Sequence, residues 1–205
     1  MRAQSPPALE SRPRRLGKPE REATILDAAA EILNDKGIQG LTMEGLSVRV
    51  GVSKPVLYRF FANRDEVLVA LYDRESEIFN SRLTKAISGQ HTLEKRMRAA
   101  CRVWIDPTSR HRNALFVLDQ PGIGPPELEK RRMARLDRFQ LLWADAIRAD
   151  YDIDTKLART VATILLGGAL SAADTRARLG WSSEEVIETF LTVALAGIER
   201  VAQRR

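Results

Sequence analysis

The chain has 205 residues, 44% apolar and 29% charged, with 33 Lys plus Arg against 27 Asp plus Glu and a formal charge of +6. One cysteine, Cys101, excludes an internal disulfide and multi-cysteine metal centres. Two histidines, His91 and His111, leave little material for His-based metal sites or catalytic triads, so no metal, cofactor or enzymatic activity is expected.

The longest uncharged apolar run, residues 160–173, is interrupted by Gly167, Gly168 and Ser171. It is shorter than the roughly 20 residues that span a bilayer, so no membrane partner is expected. Arg2 is followed by Gln4, Ser5, Pro6, Pro7 and Glu10 rather than by the apolar core of a secretory signal, and the expected location is cytoplasmic.

Residues 1–19 hold Pro6, Pro7, Pro13 and Pro19 and five basic groups against Glu10, the composition of a disordered basic arm. Such an arm is either a solubilising tail or a segment that follows nucleic-acid phosphates. Residues 20–65 carry six basic and seven acidic side chains, so overall charge is weak evidence for nucleic-acid binding here.

Beyond the arm the apolar residues recur with helical period. Ile25, Ala29, Ile32 and Leu33 form one stripe, and Gly37 ends that first helix. Thr42 is expected to cap a short second helix that ends at Gly51, and Ser53 to cap a third with Pro55 in its first turn, where a missing N–H costs nothing. Asn63 caps a fourth, from Arg64 or Asp65 towards Ser88 and Gly89.

Thr92 opens a segment carrying Leu93, Met97, Cys101 and Trp104 that stops at Asp106-Pro107. A short stretch runs from Asn113 to Leu118, and Pro125-Pro126 begins a long helix through Ile147. Asp154 or Asp152 caps the next, and Ser182 or Ser183 the last, with Glu184 and Glu185 at the positive end of its dipole. No strand and no internal repeat is evident. The expected class is all-α: a basic arm over 1–19, a compact module of short helices and one long helix over 20–75, and a second helical region over 76–205.

The stretch from Leu41 to Arg64 reads as a helix-turn-helix, whose second helix can lie in the major groove. Leu46 and Val50 form the inner face of its first helix, Val52 fills the turn, and Leu57 with Phe60 or Phe61 lines the second. Lys54, Pro55, Val56, Tyr58 and Arg59 are then left outside. Lys54 can donate to guanine or phosphate, Val56 offers apolar contact to a thymine methyl, and Tyr58 can bond a phosphate. Thr42, Ser53 and Arg64 stand at helix starts where they can meet the DNA backbone.

This segment resembles the DNA-binding domain of the TetR family of bacterial transcriptional regulators. The matching residues are Ala28 to Gly37, Leu41-Thr42-Met43, Gly51-Val52-Ser53, Leu57-Tyr58-Arg59-Phe60-Phe61 and Asn63-Arg64-Asp65 before Leu68. The resemblance covers roughly residues 20–75. Pro55 and Val56 depart from the family's usual small residue followed by Thr or Ser, which removes a hydroxyl contact. Arg64 stands where Lys is common and can add a bidentate phosphate grip.

The resemblance implies an N-terminal helix-turn-helix DNA-binding domain over 20–75 and a helical effector-binding and dimerisation domain over 76–205, with a homodimer through the last two helices and an effector pocket in each protomer that alters the spacing of the recognition helices. The final helix carries two apolar faces, Val186, Phe190, Val193, Gly197 and Val201 on one and Ile187, Leu191, Leu195 and Ile198 on the other. One face can serve the core and the other a second copy, although both could be buried in a monomer. Ile164, Gly168 and Ala172 of the preceding helix are the companion candidates.

Trp104, Phe116, Phe139 and Trp143 either form plain core or line a cavity for an apolar small-molecule effector. Cys101, on an apolar stripe, reads as an inert buried thiol. The function expected is a ligand-responsive repressor that binds double-stranded DNA at a palindromic operator. A helical interaction adaptor and a nonspecific DNA-binding protein are the alternatives.

Overall fold

The computed structural model describes residues 17–105 and 110–203, with side chains given for all of these except 110–113 and 173–177. Most of the expected basic arm, the Asp106-Pro107 stop and the side chain of His111 therefore lie outside the described residues. Among the described residues the chain is built of α-helices and a 3₁₀ turn, without strands.

Helix α1 (Lys18–Lys36) starts inside the segment expected to be an arm. Pro19 sits in its first turn and the Glu20 carboxylate accepts from the Gly17 N–H at 2.8 Å, so a local cap replaces disorder at that boundary. Its stripe Ile25, Ala29, Ile32 and Leu33 is fully buried. After the 3₁₀ turn (Ile38–Gly40), α2 (Met43–Val50) opens with Thr42, whose Oγ1 accepts from Gly45 N at 3.0 Å, and closes at Gly51 in the left-handed region, φ 72°.

Helix α3 (Lys54–Tyr58) begins after Ser53. The serine occupies the capping position, but its hydroxyl makes no capping bond, contrary to expectation. The α3 turn is held instead by the Ser53 carbonyl, which accepts from Val56 and Leu57 N–H. Asn63 caps α4 (Arg64–Ile87) through Oδ1, which accepts from Glu66 N at 2.9 Å, and the Glu66 carboxylate accepts in turn from Ala62 N.

The second half comprises α5 (Leu93–Ile105), α6 (Arg110–Leu118), α7 (Pro126–Asp150), α8 (Thr155–Leu179) and α9 (Ser183–Ala202). Helix α6 starts three residues before the expected Asn113. Asp154 caps α8 by accepting from Leu157 N at 2.8 Å, and Ser182 with Glu185 forms a reciprocal capping box on α9.

Two cores result. The first joins α1, α2, α3 and the N-terminal half of α4, and it is closed by Leu115 and Leu118 of α6 and Leu128 of α7. The second joins α5, α7, α8 and α9 around Met97, Ile147, Ala162, Ile187 and Leu191. Division of the chain near residue 75 thus cuts through the middle of α4. It also separates the first core from the α6–α7 corner that seals it.

That corner turns at Gly124, whose φ of 90° suits glycine and whose Cα lies so close to α7 that an added Cβ would meet Leu128 Cδ2 at 2.8 Å. Gly124→Ala is expected to lower stability by about 1–3 kcal/mol through backbone strain and overpacking. A thermal unfolding midpoint equal to that of the parent protein would contradict this reading.

Candidate DNA-binding surface and ligand cavity

Helix α3 turns Leu57 wholly inward, alongside Leu46 of α2 and Phe61 beyond the α3 end. This packing forces the opposite face outward. Ser53, Lys54, Pro55, Tyr58 and Arg59 are exposed, Val56 is half-buried, and Thr42 is exposed one helix away. The Tyr58 ring is 48% exposed, a large aromatic surface for a protein to leave in water.

Lys54 Nζ lies 2.9 Å from Glu44 of α2, with both side chains largely solvated. An exposed pair of this kind is worth about 0–1 kcal/mol, so the ammonium can be drawn away at little cost. Arg49 is likewise occupied, by Glu31 at 3.0 Å and Asp35 at 3.5 Å of α1.

Arg64 differs from the free phosphate grip expected of it. Its Nε donates to Leu41 O at 2.8 Å and its Nη2 to Ile38 O at 2.6 Å, so the guanidinium fork ties the start of α4 to the 3₁₀ turn before α2. Lysine can supply only a point charge there, without the planar pair of donors. The sequence cue was the substitution itself, because a guanidinium reaches two diverging carbonyls at once.

In the second half a cavity of about 560 Å³ opens among α4, α5, α7 and α8. All four aromatic candidates line it: Trp104 of α5, Phe116 of α6, and Phe139 and Trp143 of α7. Phe79 of α4, which the sequence reading did not single out, joins them. Its ring meets Trp104 edge-on at 5.0 Å and Phe139 at 6.0 Å.

Arg135 was also missed. It is 5% exposed, with its guanidinium carbon 4.8 Å from the Phe139 centroid and 5.1 Å from that of Phe79. A basic residue in the middle of α7 reads as solvated from sequence. Only the approach of α4 and of Asp119, just past the α6 end, encloses it.

Arg135 Nη1 donates to Asp119 Oδ2 at 2.6 Å, and Tyr72 of α4 donates through its hydroxyl to Asp119 Oδ1 at 3.0 Å. Burial, with the Asp119 charge in second place, pushes the Tyr72 phenol up to about 12. Arg132, one turn before Arg135, bonds Leu118 O at 2.6 Å and also Ile123 O and Glu129.

Cys101 faces the same cavity and is buried, as expected for an inert thiol. Burial raises its thiol to about 12, against a small opposing effect of Arg98. His91 is exposed.

On α8 and α9 an apolar strip has no cover in the protomer. Ile164 is 67% and Val193 69% exposed, and Gly168 and Gly197 are exposed beside them. Of the other interface candidates, Ala172, Phe190 and Val201 are half-buried against the protomer's own core, and Phe190 also borders the cavity.

Residues 25–71 match the family model of bacterial regulatory proteins, tetR family. That stretch holds α2, α3 and the Gly51 turn between them, the geometry just described. The chain carries the DNA-binding domain of the TetR family. It is a DNA-binding transcriptional regulator, and no helix among its described residues is long and apolar enough to cross a membrane.

Among relatives, this chain is 25% identical over 160 residues to the HTH-type transcriptional activator FasR of Mycolicibacterium smegmatis, covering 78% of the chain and 73% of FasR. It is 45% identical over 56 residues to tetracycline repressor protein class C of Escherichia coli, which is 27% of the chain and 25% of that repressor. In fold it is similar to AibR, solved with isovaleryl coenzyme A and operator DNA. The TM-score is 0.68 at 19% identity, over 84% of this chain and 96% of AibR.

Two outcomes are expected. Arg64→Lys lowers stability by about 1–3 kcal/mol in the absence of DNA, because two charge-assisted bonds to backbone carbonyls are lost, whereas a residue serving only as a phosphate grip leaves the melting midpoint unchanged. Cys101 in the folded protein at pH 8 reacts with a disulfide reagent on the order of 100-fold or more slowly than in denaturant. A rate equal to that of the unfolded chain would contradict the burial assigned to it.

Proposed function

We propose that this regulator is a ligand-responsive repressor that binds an inverted-repeat operator as a homodimer. The observation that carries the reading is the pairing of two surfaces on one protomer: an outward α3 face bearing Lys54, Tyr58 and Arg59, and an uncovered apolar strip on α8 and α9. A monomer gains nothing by exposing Ile164 and Val193 together. A second copy stacked on that strip would bury both, with Gly168 and Gly197 permitting close helix approach.

In that dimer the two α3 helices enter successive major grooves about 34–36 Å apart. Lys54 leaves Glu44 for guanine acceptors or phosphate, Val56 offers a thymine methyl its apolar surface, and Pro55 keeps the start of α3 rigid. Tyr58, Thr42 and Ser53 bond phosphates, and Arg59 adds charge along the backbone. Arg64 acts from behind by holding α2 and α4 in register, and this replaces the direct phosphate grip.

The cavity supplies the response. A ligand shifts DNA affinity only if it favours one spacing of the two α3 helices over the other, and α4 joins the cavity wall to the DNA-binding domain. AibR, crystallised with an acyl coenzyme A and operator DNA, supports this reading by its fold. FasR bears the name of an activator, and occupancy upstream of a promoter rather than across it would reverse the outcome of the same binding event.

Selection of genomic fragments by the purified protein, titrated at two salt concentrations, tests this directly. The expected product is a short inverted repeat bound at least about 10³-fold more tightly than random duplex. Tyr58→Phe should weaken binding to every sequence alike, whereas Lys54→Ala should also relax preference at particular base pairs, costing about 1–3 kcal/mol there. Val193→Glu should give a folded monomer by sedimentation with operator affinity lost. A dimer that survives that change, or an absence of sequence preference, rejects the proposal in favour of an adaptor or a nonspecific binder.

A further inference from the structure

We infer that the cavity takes a small apolar carboxylate, received side-on by Arg135 Nε and Nη2, with Trp104 Nε1 as a further donor from the same cavity lining. The inference deepens the ligand-responsive reading above and rests on it. Its basis is the hydrogen-bond inventory of the cavity wall. Arg135 spends Nη1 on Asp119, while its Nε and Nη2, together with Trp104 Nε1, are buried without a partner among the described residues.

Unpaired buried donors are uncommon in proteins, and on a charged group they are costly. Here three of them belong to two residues that line one cavity. Nε and Nη2 project from the same edge of the guanidinium with parallel N–H bonds, the spacing that two oxygens of one carboxylate match. An alcohol offers this edge one oxygen, and an ammonium offers it only more donors.

The rest of the wall is mostly apolar, with Phe116, Met133, Trp143 and Leu166 around the space left for the body of the ligand. The carboxylate reaches its donors by parting the rings of Phe79 and Phe139 that flank the guanidinium.

That movement falls on α4. Phe79 and Tyr72 lie seven residues apart, two turns along one helix face, and Tyr72 is bonded to the same Asp119 that holds Arg135. A second carboxylate on the guanidinium repels Asp119, so the ring of Phe79 and the hydroxyl of Tyr72 both feel the ligand.

The test is calorimetric titration of the full chain, without DNA, using dodecanoate, dodecan-1-ol and dodecylamine at pH 7.5. Dodecanoate should bind about tenfold or more tightly than the alcohol, with the amine weakest. Arg135→Lys keeps the charge beside Asp119 but loses the side-on fork. It should lose that preference while alcohol affinity changes by less than about threefold.

Trp104→Phe, a milder change, should weaken dodecanoate selectively. Tyr72→Phe should leave dodecanoate affinity intact but reduce its effect on operator binding. Equal affinity for acid and alcohol, or an undiminished preference in Arg135→Lys, overturns the inference. Operator binding without carboxylate preference refutes this inference alone, whereas carboxylate preference without operator binding refutes the regulator reading and leaves the site standing.

Discussion

Three side chains from three separate parts of the chain meet at Asp119, and the arrangement of the protein depends on that meeting. Tyr72 reaches it from the first core, Arg135 from the cavity wall, and Asp119 itself sits just past the end of α6. A carboxylate this enclosed is tolerable only because a phenol and a guanidinium both donate to it. The same pair of hydrogen bonds makes the link between the two cores directional. Apolar contact alone would allow them to slide.

The α6–α7 corner gives the bond its leverage. Leu115, Leu118 and Leu128 pack into the first core while Arg132 binds the carbonyls of Leu118 and Ile123, so the corner is fixed to the DNA-binding half. Its continuation along α7 carries Arg135, Phe139 and Trp143 into the cavity. One stiff helix therefore has its start in one core and its middle in the other. Close-packed interfaces of this sort change by switching between discrete arrangements rather than by gradual deformation, which suits a regulator.

The outward α3 face follows from burial elsewhere. Leu46, Leu57 and Phe61 are held inside, and a helix of five residues has no freedom to turn Lys54 or Tyr58 anywhere but outward. Arg64 completes this frame from behind by bonding the Ile38 and Leu41 carbonyls, so the turn before α2 and the start of α4 move together. The surface stays polar and loosely paired, as the Lys54–Glu44 contact illustrates, because a strongly paired cation would have to be released before it could meet a phosphate.

Much of this was legible in the order of residues. The apolar stripe of α1, the Thr42 and Asn63 caps, the Gly51 turn and the Asp154 and Ser182 caps are local events, decided within a few residues of backbone, and each stands where period and capping chemistry put it. The four aromatic candidates also line the cavity, since each lies on a helix face that packs toward the second core.

The sequence could not reveal what depends on distant partners. Ser53 stands at its cap position without its bond, and Arg64 turns from a surface grip into an internal tie. Arg135, one charged residue among several on α7, becomes the buried centre of the cavity wall. Sequence by itself determined the helices, most of their caps and the DNA-binding motif, since those are set by short-range hydrogen bonding and periodicity. Tertiary structure alone decided where the two cores divide and which charges are buried, because both depend on which helices meet across the fold.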